Sequence, residues 1–186
     1  VECDIRGIID QDAKAKISMK MTIRNEHVED IDTIAQLTKA AFEHEEHSSH
    51  TEQFIVNALR RSKQLTVSLV AVEHGNIIGH VAISPVRVSS GASGWFGLGP
   101  ISVLPDRQGQ GVGSALMNAA LAELRQLGGV GCVVLGDPGY YGRFGFKAYP
   151  GLELPGVPHE YFQAQAFSGA PPKGMVQYHE AFEAIA

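Results

Sequence analysis

The sequence predicts an α/β (α+β) fold, a sheet with helices against it, on three observations. An apolar strand over Leu98–Leu104 runs into a glycine-rich turn, Pro105-Asp106-Arg107-Gln108-Gly109-Gln110-Gly111-Val112-Gly113-Ser114, which opens a helix. Ahead of it, Thr66–Val72 and Ile77–Val88 flank a Gly75-Asn76 turn, as in an antiparallel hairpin. After it, Val130–Leu135 is apolar without alternation, as expected of a strand buried on both faces. Strands and helices interleaved in this way share one core.

The remaining elements follow in chain order. Ile31, Ile34, Ala35, Thr38 and Phe42 fall on one helical face, with Glu29 and Asp30 placed early, where the helix dipole favours acids. Ser49-His50-Thr51-Glu52 has the spacing of a capping box and opens a second helix through Phe54, Ile55, Ala58 and Leu59. The polar linker between them holds His44-Glu45-Glu46-His47, which is not an H-E-x-x-H pair; no metal site is expected, and the linker reads as a solvated loop that closes over substrate. A turn over Ser89–Gly94 leads to Trp95, so three strands precede the central one. Beyond the glycine-rich turn, Leu116, Met117, Ala120, Leu121, Leu124 and Leu127 form an apolar stripe ending at Gly128-Gly129. A Pro- and Gly-rich connection then leads to a last strand over Tyr161–Phe167, with a further one over Met175–Gln177.

Composition bounds the function classes. A chain of 186 residues with 44% hydrophobic and 19% charged residues suits one globular domain with a real core. A net charge of −5 argues against nucleic acid as the main partner and is compatible with a cationic one. No apolar run approaches membrane-spanning length and the first residues lack a signal-peptide layout, so no membrane partner and a cytoplasmic location are expected. Cys3 and Cys132 make neither a disulfide framework nor a metal set, and Cys132, in an apolar strand, is expected to be a buried thiol.

The glycine-rich turn carries the chemistry. Backbone N–H groups bared by glycine at a helix N-terminus lie at the positive end of the dipole and suit a phosphate. A Walker A loop would need a Lys beside its last glycine, and Gly113 is followed by Ser114-Ala115. A dinucleotide fingerprint needs G-x-G-x-x-G and an acid some way on, whereas the glycines here alternate at 109, 111 and 113 in mid-chain. Gln108, Gly111 and Gly113 instead match Q/R-x-x-G-x-G/A, and the turn resembles the pyrophosphate loop of the GCN5-related N-acetyltransferases. The block Leu135-Gly136-Asp137-Pro138-Gly139-Tyr140-Tyr141-Gly142-Arg143-Phe144-Gly145-Phe146 is similar to that family's short helix and following strand. With the closing Val176-Gln177-Tyr178-His179-Glu180-Ala181-Phe182, it resembles a subgroup of single-domain bacterial acetyltransferases.

The resemblance covers the chain from about Met21, and Met21-Thr22-Ile23-Arg24 matches the usual start of a first strand in the family. It implies a single acetyltransferase domain over 21–186, with 1–20 a leader, vector-derived or an extension. It also implies a mixed, mostly antiparallel sheet whose parallel central strands splay apart. Acetyl-coenzyme A is the implied cofactor. Its pantetheine arm would lie along the backbone of Ile101, Ser102 and Val103, and its pyrophosphate on the N–H groups of Gln108, Gly109, Gln110, Gly111, Val112, Gly113 and Ser114. A small-molecule or peptide amine would be the acetyl acceptor, and a homodimer is a common state of relatives.

By the resemblance Tyr141 occupies the tyrosine position and is the candidate acid for the leaving thiolate, since a phenol of pKa ~10 is close to an alkyl thiol. It would also line the cofactor. Relatives often carry a Glu base on the central strand, but Trp95–Leu104 contains no acid. The search therefore moves to Glu52, Glu45, Glu46, His80 or a relayed water, with Glu52 preferred because it opens the second helix near where family substrates enter. His80 and Ser84 alternate with apolar residues and share a face, either lining the cleft beside Glu45 and Glu46 as substrate contacts or packing beneath it. A coenzyme A-binding sensor without catalysis, or an enzyme with another acyl donor or acceptor, would share the same loop.

Overall fold

A computed structural model describes residues 21–45 and 48–186. The expectations placed on 1–20 and on Glu46 lie outside the described residues. Its strands are β1 (Thr22–Asn25), β2 (Val67–Glu73), β3 (Asn76–Pro85), β4 (Arg87–Val88), β5 (Trp95–Val103), β6 (Gly131–Leu135), β7 (Leu152–Glu153), β8 (Phe162–Ala166) and β9 (Gly174–Gln177). The α-helices are α1 (Ile31–Phe42), α2 (Glu52–Arg61), α3 (Val112–Gln126) and the single turn α4 (Pro138–Tyr141).

The main sheet runs in the order β1-β2-β3-β5-β6-β8, antiparallel throughout except for the parallel pair β5 and β6. This is the mixed, mostly antiparallel sheet the sequence implied. The β2–β3 turn is His74-Gly75, one residue earlier than the predicted Gly75-Asn76, and both residues have positive φ, 54° and 79°. Two left-handed residues in a row match the twist of the flanking strands. The expected strand over Ile77–Val88 breaks at Pro85; Arg87 and Val88 instead join β9 and β7 in a small second sheet.

Alternation along the strands sends residues to two helical layers. On one face the α3 stripe of Leu116, Met117, Ala120, Leu121 and Leu124 packs against Val81, Ile83, Cys132, Val134 and Phe146, all buried. Cys132 is a buried free thiol, as expected, and burial raises its pKa. Each fully buried leucine in this layer contributes about 2 kcal/mol. On the other face α1 and α2 cover the sheet through Ile34, Val56 and Val70. The turn Glu180–Glu183 then packs on α2 through Ile55, Leu59 and Ala181.

Two local expectations are corrected. The capping box at Ser49 does not form: α2 begins at Glu52 with Thr51 as N-cap, and His50 takes positive φ (59°), which turns the chain before a Ser49 cap could reach the helix. Ser48 Oγ instead donates to Glu52 Oε1 at 2.7 Å. The strand expected to follow the short helix at the end of the Leu135–Phe146 block does not form; only an isolated bridge between Lys147 and Ala164 stands just beyond it.

Candidate active site

Four residue pairs, Trp95–Leu98 with Gly131–Val134, hold β5 to β6, and the ladder ends at Leu98 opposite Val134 although β5 continues to Val103. The strands part there. On its other edge β5 stays paired with β3, and Leu104 N–H donates to Ile78 O at 3.0 Å. In an antiparallel ladder successive residues point their polar groups to opposite edges. Ser102 therefore faces β3, while Ile101 and Val103 turn theirs into the gap. Gln108 Nε2 donates to Val103 O at 3.3 Å, consistent with that direction.

The gap opens into a cleft of about 1140 Å³. At one end lies the glycine-rich turn. Gly111 is the N-cap of α3 at φ 86°, in the left-handed region that glycine enters freely, and it supplies no side-chain cap. The first helical bond is Ala115 N–H to Gly111 O, so the N–H groups of Val112, Gly113 and Ser114 have no partner within the helix. Gly113 is glycine for a different reason: a Cβ there would come within 2.9 Å of the Tyr140 hydroxyl. Arg143 stacks over the Tyr140 ring, 4.5 Å from its centroid, and Arg107 pairs with Glu73 at 2.9 Å. Both arginines line this end of the cleft.

α4 positions the two tyrosines. Asp137 caps it, accepting from Gly139 N–H and Tyr140 N–H at 3.1 Å each, and Pro138 presets the first turn. Tyr141 lines the cleft and packs edge-on against Tyr140 and Phe146, at 5.0 and 6.2 Å between centroids. Burial, with the neighbouring Tyr140 and Asp137, raises its phenol to about 12. It stays protonated at neutral pH.

The other walls come from α1, α2 and the C-terminal segment: Phe42, Glu45, Glu52, Ile55, Tyr178 and Phe182. Glu52 is buried; its Oε1 accepts from Ser48 and, at 3.5 Å, from Ser49, and its Oε2 has no partner among the described residues. Tyr178 lies over Gly97, where a Cβ would collide with its ring, and stacks against Phe182 at 4.6 Å. Its hydroxyl is buried without a partner among the described residues, and burial raises its pKa.

Of the sequence candidates, Ile101, Val103, Gln108, Gly109, Gly111, Gly113, Ser114, Tyr141, Glu52 and Glu45 line one cleft. Ser102, Gln110 and Val112 do not line it with their side chains. Ser102 Oγ is buried against Thr38 Oγ1 at 3.3 Å, Gln110 turns away to Asp106 O, and Val112 packs in the core. Gln110 and Val112 are left with a backbone contribution to the loop, whereas Ser102, with its backbone turned to β3 as well, does not reach the gap as the sequence had implied. His80 and Ser84 do not line the cleft either: both are fully buried on the sheet face that α1 and α2 cover. Alternation placed the two on one face together, but that face packs beneath the helices. Tyr178, Phe182, Arg107 and Arg143 were missed as site residues. Tyr178 and Phe182 sat in the closing block, yet nothing local said that the block returns to the cleft.

His80 has a structural role. Ser68 Oγ donates to Glu26 Oε2 at 2.5 Å, so His80 Nε2–H donates to Ser68, at 2.8 Å. Burial pulls His80 down to about 4, against the opposing pull of Glu26. Burial would raise Glu26, but the Arg60 and Ser68 hydrogen bonds outweigh it and hold the carboxyl below its usual range. The unfolded chain takes a proton at His80 near pH ~6.5 and the folded one only near pH 4. Stability from this group is therefore present above pH ~6.5 and falls as pH drops towards 4, by up to about 3 kcal/mol. Denaturant melts across that window are expected to show the slope, and His80→Gln to flatten it; an equal slope in the variant would exclude His80 as its source.

A sheet whose central parallel strands part over a glycine-capped helix N-terminus is the architecture of an acetyltransferase fold. The chain belongs to the acetyltransferase (GNAT) family, whose model matches residues 31–146. It is similar to a GNAT family acetyltransferase from Brucella melitensis solved in complex with acetyl-CoA, at 49% identity and a TM-score of 0.80, covering 88% of this chain and 99% of that one. It is also similar to the uncharacterized N-acetyltransferase YhbS of Escherichia coli strain K12, 36% identical over 172 residues that make up 87% of this chain and 98% of YhbS. The crystal structure of Escherichia coli YhbS in complex with CoA superposes with a TM-score of 0.81 at 34% identity, covering 91% of this chain and 95% of that one. No helix among the described residues is long and apolar enough to cross a membrane.

Proposed function

We propose that this protein moves an acetyl group from acetyl-coenzyme A to a primary amine by direct attack in a ternary complex. The observation that carries the reading is the gap after Leu98 and Val134, into which Ile101 and Val103 turn backbone polar groups and which ends at the bare N-terminus of α3. An extended amide-bearing arm fits the first part and a pyrophosphate the second. The ligands of the Brucella melitensis and Escherichia coli relatives, acetyl-CoA and CoA, support the assignment. The apolar Leu135, Gly136 and Tyr141 border the same space, where the thioester would lie.

In the reaction the amine nitrogen bonds to the thioester carbonyl carbon and the C–S bond breaks. The ammonium gives up one proton to a base before the C–N bond forms and a second to solvent as the amide forms, and the sulfur takes one from an acid. Tyr141 is the acid, its phenol kept protonated by burial. Glu52 is the base, through its unpartnered Oε2. An alkyl ammonium of pKa ~10.4 yields its neutral form at pH 7 only at a cost of about 4 to 5 kcal/mol, which is what a carboxylate base offsets. β5 itself carries no carboxylate, which is the observation that favours a non-catalytic coenzyme A sensor as the second reading.

Calorimetric titration with acetyl-coenzyme A, followed by thiol release over an amine panel, tests both. Binding with turnover supports transfer, binding without turnover supports the sensor, and absence of binding overturns the coenzyme site.

A further inference from the structure

The cleft has two chemically different ends. Its lining cations among the described residues, Arg107 and Arg143, both sit at the glycine-loop end, where the coenzyme phosphates belong. The far end is walled by Phe42, Ile55, Leu154 and Phe182. Within those apolar walls two polar groups stand out, Glu52 Oε2 and Tyr178 Oη, each buried and each without a partner among the described residues. Buried polar atoms in folded proteins nearly always have one. A carboxylate oxygen can only accept, and a phenol oxygen can accept as well as donate, so a ligand that supplies several N–H groups would satisfy both.

From this we infer that the acceptor is a primary amine carried on an uncharged, apolar body, and not an amino acid or a polyamine. The inference rests on the acetyl-transfer reading above and names its substrate class. An α-carboxylate on the acceptor would enter a pocket end that holds Glu52 and, among the described residues, no lining Lys or Arg. A second ammonium, as in a polyamine, would be driven against Ile55, Leu154 and Phe182; Glu45, the other lining acid of this end among the described residues, is exposed. Tyr178 is fixed for this role from outside the helices. Gly97 leaves room for its ring on the sheet, Phe182 stacks on it, and the turn carrying Phe182 is packed on α2, whose first residue is Glu52.

The test uses the whole protein saturated with acetyl-coenzyme A and follows thiol release with β-phenylethylamine, phenylalanine and spermidine. Phenylalanine is the same body with a carboxylate added, and spermidine has the amine with added charge in place of the ring. The expected result is a kcat/KM for β-phenylethylamine at least about tenfold above either of the others. Equal or faster turnover of phenylalanine or spermidine would overturn the acceptor class and leave acetyl transfer standing. Acetyl-coenzyme A binding with no turnover of any amine would overturn the transfer reading and this inference together. In the Phe182→Ala variant, KM for β-phenylethylamine should rise about tenfold while KM for acetyl-coenzyme A holds; an unchanged amine KM in the folded variant would also overturn the pocket.

Discussion

Replacing Gly111 by Asp is expected to lower acetyl-coenzyme A affinity at least about a hundredfold. The position is the N-cap of α3 at φ 86°, beside the unpaired N–H groups that would hold the pyrophosphate. A carboxylate there puts a negative charge in the space of another, in a site built on the positive end of a helix, and like charges in contact cost several kcal/mol once partly removed from water. Asp and Asn are the residues that best tolerate this backbone and both cap helices, so the fold is expected to survive. Gly111→Asn, of the same shape without the charge, separates the two effects and should lose about tenfold at most. Calorimetric titration of the three proteins reads the answer. Unchanged affinity in Gly111→Asp would show that the phosphates bind elsewhere.

Tyr141→Phe is expected to lower kcat about a hundredfold, within the range typical of a general acid, and to change coenzyme affinity less than about threefold. The ring contacts with Tyr140 and Phe146 survive in the variant, so the substitution removes the hydroxyl and little else. Because the phenol titrates only near 12, the wild-type rate should show no loss at the alkaline limb from this group below about pH 11. Single-turnover thiol release separates the step from binding. A fall in affinity with kcat intact would make Tyr141 a packing residue.

The loop end of this cleft was legible in the sequence because its physics is local. Glycines alternating through a strand-to-helix turn leave few other structures for Gln108–Ser114, and the α3 stripe has enough length for its period to be unambiguous. The small sheet was not legible as such: β4 and β7 have two residues each, too few for alternation to register. His80 and Ser84 show a different limit. Period two says which residues share a face, and tertiary packing alone says what covers that face. Glu52 was preferred as the opening residue of the second helix, and α2 does begin there, but without the capping box that suggested it: Ser48 and Ser49 hydroxyls bond its carboxylate and neither caps the helix. Tyr178 returns from far along the chain to lie on Gly97, and no local pattern announces such a closure.

The parting of β5 and β6 also has a mechanical side. Strands β1, β2, β3 and β5 form one plate and β6 with β8 another, and the strand-to-strand seam between them is the short Trp95–Leu98 stretch. A chain molecule lying along Ile101 and Val103 works as a splint across the open part of that joint. Occupancy of the cleft would then be felt as stiffness, with hinge-like bending of one plate against the other damped when the splint is in place and released when the product leaves.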